Sequence, residues 1–391
     1  MIPEPHGGRL VERLLTSAER LRRETELTSM MTLTPGVDQR YDLEKIGTGA
    51  YSPLEGFMGS AALDSVTGSG RLPGGLPWSL PILLPVGSPT DRATAERLRP
   101  GDEVALVDPA RRLRGILHFE ERFRFDRKRV AQSAFGTLDP GHPNIPELLG
   151  GSDLAVAGPI EAVAPAPSTT GPPELTPRSS RDLFRSRGWQ NVAAYQCRNP
   201  PHTAHEYLQR LTLEREDVDA LLIHPVVGRL KVGDYRPEVI LRAYEALVKG
   251  YCATDRVVLS PLTISMRYAG PKAALFLAIV RKNYGCSHYI VGRDQAGVGK
   301  FYDPYACHRI FDTFDVGIIP LRYEEAFYCR ACESTASAKT CPHPPTERVD
   351  TSQTRIRKAL QDGGEIPSEL LRPEVAAILR EPNVLLREGE P

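Results

Sequence analysis

No excess of either charge runs through the 391-residue sequence: 49 Lys+Arg stand against 49 Asp+Glu. A chain that coats nucleic acid or docks on an acidic membrane needs a large positive field, so the balance argues against both partners. Cysteine is scarce, at seven residues, and the number is odd. That excludes a disulfide framework and fits a reducing cytoplasm. Long apolar runs are missing as well. The longest, Ala273 to Val280, sits between Lys272 and Arg281 and falls far short of the roughly 20 residues of a membrane helix. The start, Met1-Ile2-Pro3-Glu4, lacks a basic segment followed by an apolar core, so no secretory signal is expected.

What is present reads as globular. Hydrophobic residues make up 41% and charged residues 25%, which excludes a disordered or collagen-like chain. At about 150 residues per domain, the length predicts two or three domains.

Residues 1–165 read as one mostly β unit. A helix is expected over Gly8 to Arg23, with Leu10, Leu14, Leu15 and Leu21 on one stripe. Strand-like runs follow at Leu80 to Val86, Glu103 to Val107 and Gly115 to Phe119. Ala164 to Pro177 is rich in Pro, Ser and Thr and reads as a linker or surface connection. In residues 166–321 the texture changes. Strand-length runs at Asn191 to Tyr195, Val218 to Ile223, Arg256 to Ser260, His288 to Val291 and Val316 to Pro320 alternate with helical stretches at Thr203 to Arg215, Arg236 to Gly250, Pro271 to Tyr284 and Tyr305 to Phe314. Such alternation predicts a parallel sheet with helices on both faces and ligands at the carboxyl ends of its strands. A last segment, residues 322–391, carries a cysteine cluster and a helix over Thr354 to Gln361.

Four constellations carry chemistry. Gln196-Cys197-Arg198-Asn199-Pro200-Pro201-His202-Thr203-Ala204-His205 lies where a strand ends and a helix begins, a natural seat for phosphate. His202 and His205 share a helix face, Arg198 offers a planar fork for a tetrahedral oxyanion, and Gln196 and Asn199 donate without adding charge. A lone pair of histidines at this spacing is more often a cap than a site; six donor side chains in ten residues shift the balance. Gly292-Arg293-Asp294-Gln295-Ala296-Gly297 follows the fourth strand and lets backbone approach a nucleotide. It is not a P-loop, because Asp294 stands at the first glycine position and Phe301 follows Lys300. Thr351-Ser352-Gln353-Thr354-Arg355-Ile356-Arg357 opens a helix; a cap explains one hydroxyl but does not call for Arg357. Cys329, Cys332 and Cys341 with His343 suit tetrahedral zinc better than a redox pair. His308, Glu333, Glu347 or an open three-cysteine site remain alternatives for the fourth ligand.

These motifs, in this order, resemble the ATP sulfurylase (sulfate adenylyltransferase) family. The family's Q-x-R-N-P-x-H-x-x-H stands at Gln196 to His205, and its Gly-Arg-Asp loop at Gly292 to Asp294. Leu222 to Gly228, Lys231 to Asp234, Met266 to Pro271 and Gly49 to Met58 are family-like too. Departures are Tyr51 for Phe, Cys197 for Thr or a bulky residue, Thr203 for Arg, and Gln353 for Gly. The resemblance implies a PUA-like N-terminal domain, a Rossmann-like nucleotidylyltransferase domain and a small C-terminal α/β domain. It is to the short bacterial type with a zinc site and no fused kinase domain, as a homodimer. It implies that ATP, carried with Mg2+, and sulfate give adenosine 5'-phosphosulfate and pyrophosphate. Gln196, Cys197, Arg198, Asn199, Gly292, Arg293, Asp294 and Ala296 would bind these substrates. Arg198, Asn199, His202 and His205 would be catalytic, and Zn2+ structural.

Two other readings compete. An enzyme that adenylylates an organic phosphate shares the two histidines and the Ser-x-Thr-x-x-Arg element, but the Gln-x-Arg-Asn context favours sulfate. An RNA-binding protein would need the aromatic and basic clusters that the sequence lacks.

Overall fold

The computed structural model describes residues 2–166, 171–351, 353–361 and 366–387. In the first stretch a seven-stranded sheet is built around the strand Leu154–Ala162, which pairs with Leu113–His118, Gly56–Phe57, Leu84–Pro85 and Glu121–Arg124. Six helices lie around it among the described residues, more than the patterning predicts. The first helix runs over Ser17–Glu26, later than expected. Gly7 and Gly8 sit at φ 80 and 89, outside the helical region. The segment after them is extended, with Arg13 and Leu15 donating their N–H groups to Gly47 and Ala162. Thr16 and Glu19 form a capping box that starts the helix only at Ser17. Leu21, assigned to the apolar stripe, is exposed. The expected strand at Leu80 to Val86 shrinks to Leu84–Pro85; the nearby Pro81 has no N–H to give a ladder.

The proline-rich connection is pinned down in its second half. Glu174 accepts from the backbone N–H and the hydroxyl of Thr263, and pairs with the buried Lys45 at 2.7 Å. Leu175 donates to Ser260. Thr176 then caps a helix, Pro177–Ser186, that the pattern does not announce. The centre of the connection, residues 167–170, lies outside the described residues.

The second sheet has five strands, all parallel, in the order Val257–Leu259, Ala220–Pro225, Val192–Cys197, His288–Val291, Ile319–Arg322. Every residue of its three middle strands is buried, which explains their continuous apolar runs. Helices Thr203–Leu213, Pro237–Tyr251, Pro271–Asn283 and Ala306–Thr313 connect or follow them. Most boundaries move by one to three residues, and His288–Val291 keeps its expected bounds; the last strand starts late because Gly317, at φ 68, makes a turn. In chain order this sheet reads 3-2-1-4-5. The winding reverses between Val192–Cys197 and His288–Val291, so a crevice opens at their carboxyl ends.

A small antiparallel sheet, Ser334–Ser337, Ala326–Cys329 and Arg348–Val349, follows. Helices Gln353–Gln361 and Pro373–Leu379 come next. Ile356, Leu370, Leu371, Val375 and Leu379 share a core with Tyr235, Val239, Ile240 and Ala243 of the second sheet's layer. Arg372 grips the buried Glu206 with two hydrogen bonds of 2.7 and 2.8 Å, which ties the last segment to helix Thr203–Leu213. No helix among the described residues is long and apolar enough to cross a membrane.

Candidate active site

The crevice at the switch point is a cavity of about 310 Å³ lined by Gln196, Cys197, Arg198, Asn199, His202, His205, Gly292, Arg293, Asp294 and Ala296. All ten residues nominated for substrate binding or catalysis thus reach one space from two separate loops. The volume falls in the ordinary range of ligand pockets.

The first loop leaves strand Val192–Cys197 and enters helix Thr203–Leu213. His202 is the N-cap: its Nδ1 accepts from the backbone N–H of His205 at 3.4 Å. That use of Nδ1 leaves the proton of the neutral ring on Nε2. The two imidazoles stack, with centroids 3.5 Å apart and an interplanar angle of 22°. Burial, and then the neighbouring His205, hold His202 well below the usual imidazole range. Burial lowers His205 to about 4, although a hydrogen bond with the backbone of Pro200 opposes it. Both rings are therefore neutral donors near pH 7. The Nδ1 of His205 is buried with no partner among the described residues.

Arg198 is braced from two sides. Its Nη1 donates to the carbonyl of Gly297 at 3.1 Å, and its guanidinium lies 4.7 Å over the ring of Tyr268. Tyr268 in turn donates to the buried carboxylate of Asp234 at 2.9 Å. Asp234 also receives Lys231 at 2.8 Å and Arg357 at 3.4 Å. Arg357 donates to Oδ1 of Asn199 at 2.9 Å, which turns the amide hydrogens of Asn199 away from it. One carboxylate thus steadies two loop residues through intermediaries. Tyr268, Asp234 and Arg357 received no role from the sequence, although all three lie in segments it singled out. Buried charge among unlike neighbours is a tertiary property with no sequence signal.

In the second loop Asp294 and Ala296 take φ 54 and 56, a left-handed conformation that costs non-glycine residues free energy and is often kept at functional sites. They turn the backbone around the cavity edge on either side of Gln295. Arg293 sits at the rim, half exposed and paired with Glu325 at 3.1 Å. Burial raises the pKa of Asp294, with Arg198 and Arg293 opposing. Cys197 is buried, and burial pushes its thiol up to about 12, so it is a thiol and not a thiolate nucleophile. Gln353 also lines the cavity and donates to the carbonyl of Pro200 at 2.8 Å. Ser352 lies outside the described residues.

The cysteine cluster converges too. One donor atom from each of Cys329, Cys332, Cys341 and His343 lies within 4.8 Å of the others. The Nδ1 of His343 is 3.5, 3.2 and 3.7 Å from the sulfurs of Cys329, Cys332 and Cys341, and Cys332 and Cys341 are 3.7 Å apart. A tetrahedron with metal–sulfur bonds of about 2.3 Å has edges of about 3.8 Å, so these residues fit a tetrahedral ion. His308 is engaged elsewhere, on the carbonyl of Val291.

The histidines yield a direct expectation. Because an unfolded imidazole binds its proton near 6.5 and folded His205 only near 4, the folded state loses stability as pH falls from 6.5 toward 4. NMR titration of the free protein should show His205 neutral down to about pH 4, with His202 also titrating well below the usual imidazole range. Titration of either ring near 6.5 would contradict the account.

The chain is similar to known proteins along its whole length. A family model described as ATP-sulfurylase matches residues 173–382, and one described as PUA-like domain matches residues 3–165. The sulfate adenylyltransferase of Symbiobacterium thermophilum is 45% identical over 380 residues, 96% of this chain and 95% of the relative. That of Hyperthermus butylicus is 43% identical over 100% of this chain and 99% of its own. A solved structure, the hexameric APS kinase from Thiobacillus denitrificans, matches with TM-score 0.74 at 26% identity, covering 97% of this chain and 68% of that one. The chain belongs to the ATP-sulfurylase family.

Proposed function

We infer that the protein is a sulfate adenylyltransferase, which joins ATP and sulfate to give adenosine 5'-phosphosulfate and pyrophosphate, reversibly. The observation that carries the reading is the meeting of the Gln196–His205 and Gly292–Ala296 loops on one cavity. Sulfate is already an anion, so its oxygen attacks the α-phosphorus without a general base. The α–β phosphoanhydride bond breaks in line, and its electron pair leaves on pyrophosphate. The difficulty is to hold two anions together and to stabilise the charge that develops on the leaving group. Positioning and fixed donors therefore dominate.

In this mechanism Gln196 and Arg198 hold sulfate, aided by backbone at Ala296. His202, His205 and Asn199 donate to phosphate oxygens, and Gly292, Arg293 and Asp294 seat the nucleotide. Mg2+ arrives with ATP and neutralises part of the phosphate charge. Cys197 lines the site without bonding covalently; its protonated state supports this. The cluster of Cys329, Cys332, Cys341 and His343 would hold Zn2+ as a structural ion, because none of the four is among the residues lining the cavity.

The proposed division is a PUA-like domain over 1–165, a catalytic domain over 166–321 and a C-terminal domain over 322–391. The enzyme is expected in the cytoplasm as a homodimer, with small anions and neither nucleic acid nor membrane as partners. The same residues serve sulfate activation, which needs pyrophosphate removal, and the reverse reaction, which forms ATP in sulfur oxidation.

Arg198→Ala tests the site. ATP formation from adenosine 5'-phosphosulfate and pyrophosphate should fall by the equivalent of about 3–4 kcal/mol, the cost of losing one charge-stabilising donor. Turnover near that of the unaltered protein would refute the role. For the ion, metal analysis should find about one zinc per chain, and Cys332→Ser should lower the unfolding temperature more than turnover. An active, full-length protein free of metal would reject the zinc site.

A further inference from the structure

An amide side chain has two faces of opposite sign. A glutamine that holds an anion must present its NH2 and hide its carbonyl, yet the two ends have nearly the same shape and either can turn toward the cavity. Nothing in the side chain itself chooses. The structure supplies the choice at Gln196.

Its Oε1 is held by two donors at once. The Nε2 of Gln295 donates to it at 2.6 Å, and the hydroxyl of Tyr289 at 3.3 Å. Gln295 also donates to the oxygen of Tyr289 at 3.1 Å, so the Tyr289 hydroxyl is an acceptor there and its own hydrogen is directed to Gln196. Three polar groups thus close a ring in which each of the three donated hydrogens has one destination. Both lone-pair sites of the Gln196 carbonyl are used. Its Nε2 donates to no protein group among the hydrogen bonds of the described residues, and Gln196 lines the cavity. Tyr289 is fully buried on strand His288–Val291 and pairs with Ala194, two residues before Gln196 on the same face of the neighbouring strand. Gln295 comes from the second loop, so the ring also joins the two halves of the site.

We propose that Tyr289 and Gln295 are positioning residues that lock the Gln196 amide with its NH2, and not its carbonyl, toward the bound oxyanion. This rests on the reading in which Gln196 holds sulfate. With Gln295 in place, turning the Gln196 amide over would sever both bonds to its oxygen and aim a carbonyl at an anion. Burial pushes the Tyr289 hydroxyl up to about 12, so it remains a donor across the working range. The clamp acts on one substrate alone, because no phosphate contact is assigned to Gln196.

Steady-state kinetics with Tyr289→Phe, which keeps the ring, and with Gln295→Met, which removes the donor, tests the proposal. The KM for sulfate should rise about tenfold, the scale of one to two hydrogen bonds at a charged site, while the KM for ATP stays within about twofold. In a Gln196→Ala background the Tyr289→Phe change should add no further loss for sulfate, because the group it orients is gone. Calorimetric titration of sulfate into protein saturated with an unreactive ATP analogue should show the same selective loss in affinity. Equal effects on both substrates, no effect on sulfate, or full additivity with Gln196→Ala would overturn the clamp. Unaltered protein that turns over sulfate, with Gln196→Ala leaving its KM unchanged, overturns the clamp and spares the activity. Unaltered protein with no turnover overturns the activity instead, and the calorimetric comparison then decides the clamp alone.

Discussion

Two neighbouring parallel strands whose connections leave in opposite directions make this site. Val192–Cys197 and His288–Val291 are hydrogen-bonded to each other, and the sheet's winding reverses between them. The loops beyond both strands therefore face a common space. One loop runs into a helix N-terminus and brings stacked histidines; the other brings left-handed backbone and Gln295. The residues proposed to bind and activate the substrates are arranged at that single reversal.

What fills the crevice follows from the charges it must accept. Two anions repel, and a mobile counter-charge would be lost to solvent. The protein answers with fixed donors, few of them charged. His202 and His205 are neutral because burial makes protonation costly, and they donate without needing a counter-ion. Arg198 brings a positive charge to the cavity, held over Tyr268 and against Gly297. The buried carboxylate of Asp234 then steadies Tyr268 and Arg357 together. A chain with no net charge can bind small anions in this way, since the field that matters is local.

Periodicity made the second sheet legible. Its strands are buried on both faces, so their apolar runs stand out, and His288–Val291 has the bounds the pattern predicts. The first stretch was less readable. Three of its seven strands hold only two residues, its first helix is displaced by a capping box and two left-handed glycines, and its linker is anchored by Glu174 to Lys45, a contact between residues far apart in sequence. In the site, donors that touch the cavity were visible because they cluster in sequence. Their supports were not: Tyr268, Asp234 and Tyr289 act through orientation, as Gln295 does beside its place at the cavity, and orientation is set by tertiary neighbours. His343 was separable from its alternatives only once the hairpin had brought three sulfurs to it.

The central claim is a single displacement at phosphorus, carried by preorganised donors with no covalent enzyme intermediate. The stereochemical course at the α-phosphorus tests it most directly. With ATP made chiral at that centre, one in-line attack by sulfate predicts inversion in adenosine 5'-phosphosulfate. Retention would mean two displacements through a nucleotidylated side chain and would contradict the account.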